Sequence, residues 1–380
     1  MPTRRQTLLT ALTAAVWQML PHAARAADKP YAAFNGAFGA KVALPYLASF
    51  ESAAGSLSAA AKRFKQTPSP TAFASLLEAF GKISDAWMAV QLLRFGPLSQ
   101  SQRIDRIAYW PEKRSITDKQ MAAFITAADA GKLVPASFAT ASVALQGLCA
   151  LERLLFDGAM TSDNKPASDK ALAHLTDGTP EAAYRAGYIV AIADNLQRIA
   201  QETRKAWQDL APKLAKGDEA GFATAAQEAS GQIYAALLAE AQIIGDQKIG
   251  LALGKNVDLA RPKQAEQWRS GRSLHDIQLN LVALRQALLG DPAGSVIALV
   301  QADQIDSMKQ RLSAAFDACD QAAGAVALPL DLAVSDDAVG RRQVETLLVK
   351  INQLRDILGQ DLPKAIGITL GFNELDGDGG

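Results

Sequence analysis

The stretch Ser69-Pro70-Thr71-Ala72-Phe73-Ala74-Ser75-Leu76-Leu77-Glu78-Ala79-Phe80-Gly81-Lys82-Ile83-Ser84-Asp85-Ala86-Trp87-Met88-Ala89-Val90 decides the fold class. Ser69 is a natural N-cap, and Pro70 suits the first helical turn, where its missing N–H costs nothing. Behind them Phe73, Leu76, Leu77, Phe80, Ile83, Trp87 and Val90 recur at steps of three and four, which stacks them on one face of an α-helix. The same device returns at Thr179-Pro180, where Tyr184, Tyr188, Ile192, Leu196, Ile199, Trp207 and Leu210 carry a stripe to about Lys213. A third stripe, Val344, Leu347, Leu348, Ile351, Leu354 and Leu358, is expected to stop at Gly359. Shorter helices are predicted at about 40–66, 117–130, 138–157, 220–250, 273–289 and 295–322, and the one strand-like run is Gly367-Ile368-Thr369-Leu370-Gly371-Phe372. The pattern predicts an all-α protein whose long amphipathic helices pack as two antiparallel, four-helix-type bundles.

A chain of 380 residues has room for two such units at roughly 100–200 residues each. The polar segment Thr161 to Lys170 is the natural seam, giving an N-terminal bundle over 27–165 and a C-terminal bundle over 166–380. With 49% hydrophobic and 21% charged residues the chain is not disordered. Lys plus Arg and Asp plus Glu both number 39, so no basic excess exists to neutralise phosphates, and nucleic acid is not an expected partner.

Residues 1–26 read as a signal peptide: Arg4 and Arg5, an apolar run from Leu8 to Leu20, then Ala24-Arg25-Ala26 as an A-x-A cleavage site. The Arg4-Arg5 pair ahead of Leu8 and Leu9 also suits twin-arginine export. The apolar run is shorter than the ~20 residues of a membrane span, and no later run approaches that length. The mature chain is therefore expected to be soluble and periplasmic, with a net charge of about −3 because the signal removes three arginines and no acid.

Familiar catalytic signatures are missing. After cleavage only His174 and His275 remain, without H-E-x-x-H or another metal-ligand spacing, and G-x-S-x-G, Walker and dinucleotide fingerprints are absent. Gly96 to Arg114 is a long irregular stretch containing Trp110-Pro111, and such loops either carry function or are simply pinned to the core.

One segment stands out: Gln146-Gly147-Leu148-Cys149-Ala150-Leu151-Glu152-Arg153-Leu154-Leu155-Phe156. Cys149 and Glu152, three apart, share a helix face, while Leu148, Leu151 and Leu155 make the helix apolar elsewhere. A carboxylate so placed needs a cation, a metal or several donors, or else a proton; an ion pair to an arginine of another helix is the structural alternative. Gly147 permits close approach of another backbone.

This segment resembles the G-x-H-x-x-E signature of the imelysin family, the M75 peptidase-like proteins, with Cys149 where the family has His. Trp268-Arg269-Ser270-Gly271-Arg272-Ser273-Leu274-His275-Asp276-Ile277, with Asn280-Leu281, is similar to the family's serine-containing helix start. The end, Gly371-Phe372-Asn373-Glu374-Leu375-Asp376-Gly377-Asp378, is similar to its terminal F-N-x-x-D-G-D element. The resemblance implies an exported protein of two bundles related by internal pseudo-symmetry, with a site between them. It also implies a binding or accessory role in bacterial iron or haem uptake, with iron-uptake components of the envelope as partners. The expected pocket centres on Glu152, the candidate metal ligand for iron or another metal, and is lined by Cys149, Arg153, Trp110, Ser270 and Ser273. A hydrolase, as the peptidase name suggests, and an envelope interaction scaffold are the competing classes.

Several features have plainer explanations. Ser273 and Asp276 form an S-x-x-D capping box ahead of Ile277, Leu281, Leu284 and Leu288. Asp376-Gly377-Asp378 opens like a calcium loop, but the distal glutamate is missing. Cys149 and Cys319 would form a disulfide in an oxidising compartment if their Cα atoms lay about 4.4–6.8 Å apart.

Overall fold

The computed structural model describes residues 29–112, 115–156, 168–216, 225–335 and 338–368. Helices account for most of them, and no strand occurs among the described residues. The principal helices are α1 (Leu44–Gln66), α2 (Pro70–Val90), α3 (Arg103–Ile107), α4 (Ile116–Ala127) and α5 (Gly147–Leu155). They continue with α6 (Pro180–Leu214), α7 (Ala226–Gln242), α8 (Ser273–Leu289), α9 (Ile305–Ala325) and α10 (Ala338–Asp356).

The start signals work as chemistry demands. The Ser69 hydroxyl accepts from the Ala72 amide and the Thr179 hydroxyl from the Ala182 amide, each satisfying a donor that the first turn leaves free. Every member of the α2 stripe is buried except Leu77, which packs against the core from its edge. All seven apolar positions named on α6 are buried. The most extensive packing in the molecule runs between α6 and α1, and the next between α1 and α2, so these three long helices share one core. A second group joins α9 to α10 and α8 to α9, with α7 touching α8 and α10. The α2–α8 contact links the groups, and α6, which follows residue 166, packs with the N-terminal helices.

Several expectations need correction. The 138–157 helix is two pieces: a 3₁₀ turn at Val143–Leu145, then α5, because Gln146 is extended and Gly147 has φ +72°. The 295–322 helix begins only at Ile305, after a 3₁₀ turn at Val296–Leu299. The last helix does not stop at Gly359: a π-turn at Ile357–Asp361 carries the chain into Leu362–Ile366, keeping Leu358 and Leu362 buried, and Gly367 at φ +69° ends it. Ser273 and Asp276 form no capping box, since the Ser273 hydroxyl donates instead to the Glu266 carbonyl. Cys149 and Cys319 are both buried and free, so the disulfide does not form. The signal segment, most of the 161–170 seam, and Thr369 to Gly380, with the strand-like run's last four residues and the calcium-like turn, lie outside the described residues.

Among the described residues no helix is long and apolar enough to cross a membrane.

Candidate functional site

The helix that carries Glu152 is fixed at its start. The Gln146 carboxamide is bonded at both ends, its Nε2 donating to the Ala141 carbonyl and its Oε1 accepting from Arg106 Nε and Asn195 Nδ2. Next to it, Gly147 lies directly on α3: a Cβ there would stand 2.3 Å from the Ile107 carbonyl oxygen and 2.6 Å from that of Arg106. Only a residue without Cβ, and free to take φ > 0, fits this contact. Within the next two turns, Cys149, Glu152 and Arg153 reach a cavity of about 120 Å³.

Three chain segments supply its walls. The loop after α3 contributes Tyr109, Trp110, Glu112 and Ser115, and the first turn of α4 Asp118; α5 contributes Cys149, Glu152 and Arg153; the loop before α8 contributes Lys263 to Ala265 and Gln267 to Arg269. The Trp110 indole N–H donates to the Gln264 carbonyl at 3.0 Å, so this loop is pinned down and also forms a wall.

Glu152 is 3% exposed and makes no ion pair among the described residues. Its Oε1 accepts from both the Ser270 amide (2.9 Å) and the Ser270 hydroxyl (2.7 Å), which leaves Oε2 for the cavity. Burial pushes its carboxyl above the ordinary range, opposed by the two Ser270 bonds and the charges of Arg269 and Arg153. Arg153 is the clamp of the site. Its guanidinium pairs with Glu112 at 2.9 Å and Asp118 at 2.5 Å and donates to the Cys149 carbonyl at 3.0 Å. Burial alone would lower its basicity, but the Asp118 bond and the Glu112 charge raise it overall. Arg269 stacks on the Trp268 ring at 4.5 Å, with Lys263 5.6 Å from the same ring.

The structure thus brings Glu152, Cys149, Arg153 and Trp110 to one cavity, with Ser270 directly behind Glu152. Ser273 is buried against the Glu266 carbonyl and does not line it. His174 is exposed, and His275 sits at the surface 3.1 Å from Asp85. The donor set does not by itself make a metal centre. No group of three or more His, Cys, Asp or Glu suited to an ion exists among the described residues, and burial pushes the Cys149 thiol far up, which adds to the cost of the thiolate a metal would need.

Beneath the cavity lies a buried charged layer that sequence reasoning missed. Lys248, 1% exposed, pairs with Glu266, whose other oxygen accepts from Gln91; the Asn280 amide donates to Gln91 and to the Met88 carbonyl. Lys248 also stands 5.9 Å from the Trp110 ring, connecting this layer to the cavity wall. Asp276, fully buried, has Arg272 at 3.4 Å but no hydrogen-bond partner on either oxygen, and burial raises its carboxyl well above the usual range. Because the folded value is raised, the stability tied to its protonated form is present at low pH and lost as pH rises through that value. Asp276→Asn removes this loss, so melting temperatures taken as pH rises above the ordinary carboxylate value of 3.8 are expected to shift progressively in favour of the variant. A difference that stays flat or moves the other way contradicts the assignment.

The chain belongs to the imelysin family, whose model matches residues 43–358. Its fold is similar to the crystal structure of an imelysin-like protein from Psychrobacter arcticum 273-4, with TM-score 0.70 and 19% identity over 91% of this chain and 98% of that one. It is also similar to a candidate iron-regulated protein A precursor from Parabacteroides distasonis ATCC 8503, with TM-score 0.69 and 16% identity over 89% of this chain and 95% of that one. No curated protein matches the chain.

Proposed function

We propose that the protein is an exported binding component of bacterial iron acquisition, and that its ligand occupies the cavity at Glu152. The observation that carries this reading is a carboxylate with one oxygen anchored by Ser270 and the other left to a small, partly open polar cavity. Family membership and the iron-regulated neighbour supply the iron connection. The segment 1–26 supports delivery to the periplasm, where envelope iron-uptake components would exchange the ligand.

Size and chemistry narrow what enters. About 120 Å³ is below the roughly 300–1,000 Å³ of pockets for drug-sized molecules, so haem or a large chelate would not be held wholly inside the cavity. A hydrolase reading has no observation of its own: the Ser270 hydroxyl and amide share one carboxylate oxygen, which holds the loop rather than activating a nucleophile.

Glu152→Gln keeps the acceptor for Ser270 and is expected to change stability by less than about 1 kcal/mol. In a host lacking the gene and starved of iron, the wild-type chain should restore iron accumulation and Glu152→Gln should lose most of that rescue. Full rescue by Glu152→Gln removes the cavity from the function.

A further inference from the structure

We infer that the cavity takes a small hydroxy-acid anion, its carboxylate held by Arg269 and Lys263 and its hydroxyl by Glu152. This deepens the reading of the cavity as a ligand site and rests on it.

The polar groups on the walls divide into those already engaged and those still open. Arg153 is engaged by Glu112, Asp118 and the Cys149 carbonyl. Gln267 has both ends of its carboxamide sealed from solvent and without a hydrogen bond, so it meets no guest. Glu152 differs from the other buried acids. Asp276 and Glu240 have both oxygens sealed and without a hydrogen bond, whereas Glu152 has Oε1 on Ser270 and leaves Oε2 unsealed on the cavity wall.

Two cations of the wall are left over. Arg269 keeps 14% of its side chain exposed, and its one ion pair is a long one, to Asp118 at 3.4 Å. Asp118 is held more closely by Arg153, at 2.5 Å. Lys263 is exposed and makes no ion pair among the described residues. Both cations stand against the Trp268 ring, Arg269 at 4.5 Å and Lys263 at 5.6 Å, so the indole fixes where their charges lie. Two of the three carboxylates on the walls are spent on Arg153, and the third, Glu152, is the one whose burial favours the neutral form. Uncompensated positive charge therefore stays at Arg269 and Lys263.

Such a wall calls for an anion and not for a bare metal ion. The charges of Arg269 and Arg153 already reach Glu152, and they would repel a cation placed beside it. A guanidinium and an ammonium side by side suit a carboxylate, which accepts charge-assisted bonds from both. Glu152 Oε2 then needs a group that works whether the acid is ionised or protonated. A hydroxyl does, because it donates to the ionised oxygen and accepts from the protonated one. An ammonium can only donate, and a second carboxylate can only accept. A hydroxy acid carries both required groups on one small molecule. Its oxygens are also the hard donors that ferric iron prefers, so iron would reach the cavity on the anion rather than on the protein's own carboxylate.

The test is calorimetric titration of the full mature chain at neutral pH with lactate, propionate and lactamide, and with lactate plus equimolar ferric ion. Lactate should bind saturably and more weakly as salt is raised. Propionate, which lacks the hydroxyl, should bind about fivefold more weakly, and lactamide, which lacks the charge, at least about tenfold more weakly. Arg269→Gln should weaken lactate at least about tenfold and remove most of the salt dependence. Lys263→Gln, at an exposed position where folding is not in question, should weaken it about twofold to threefold. No binding of lactate, equal binding of propionate or lactamide, or unchanged lactate binding in both variants overturns the inference. So does lactate binding that appears only with ferric ion, since the metal would then be what is recognised. Lactate binding in a chain whose Glu152→Gln form still restores iron accumulation leaves this inference standing and removes the iron reading. Loss of that rescue in Glu152→Gln without any lactate binding does the reverse.

Discussion

Gly147→Ala is expected to cost about 3 kcal/mol or more in urea unfolding and to abolish ligand binding. Holding an L-residue in the left-handed region costs about 1–2 kcal/mol, and forcing a group into a packed site adds about 1–3 kcal/mol. Here the obstacle is a pair of backbone carbonyls, Ile107 and Arg106, which cannot rotate away as a side chain can. Relief requires α5 to lift off α3, and Glu152 moves with α5. Gly178 is the control, with φ +77° and nothing within 4 Å of the Cβ that an alanine would add. Gly178→Ala should show the conformational cost alone, about 1–2 kcal/mol. Equal losses at the two glycines would show that the carbonyl contact is unimportant.

Lys248→Met should cost about 3–5 kcal/mol, the penalty for leaving a buried carboxylate without its partner. Methionine keeps most of the volume, so the loss reports charge rather than packing. Glu266, Glu240 and Asp276 are all buried close enough to feel the lysine, or in the case of Glu266 to bind it. Adding Glu266→Gln removes the stranded charge while keeping an oxygen for Gln91, so the double variant should regain most of the stability. If the double variant is no more stable than Lys248→Met alone, the pair is not the unit described.

The fold class is readable in the sequence because it rests on periodicity. Phe73 to Val90 and Tyr184 to Leu210 repeat at helical spacing for several turns, and no tertiary detail is needed to see a buried face. The breaks are less readable. Gly147 signals a close approach, but nothing adjacent in sequence says that Gln146 is extended or that Gly359 lies within a continuing helical turn. The site is half readable: Glu152 announces itself as an acid within an apolar helix, and Ser270 through the family resemblance. Glu112, Asp118 and Lys263 look like ordinary loop or surface charges until the fold brings them to Arg153 and Trp268. Gln267 carries no local mark, because a missing hydrogen bond is a property of the folded neighbourhood. Ser273 and Asp276 mislead for the opposite reason, since a local motif matches and a longer-range partner, Glu266, takes the hydroxyl.

The cavity walls come from residues 109–118, 149–153 and 263–269, stretches separated by up to about a hundred positions of chain. No one of these stretches encloses the space by itself, so recognition is a property of the completed molecule. A bound guest would act as a tie among three distant lengths of polypeptide and would favour only the state in which all three have met. In the unfolded chain such a site is silent, and it comes into being only once the polypeptide has folded.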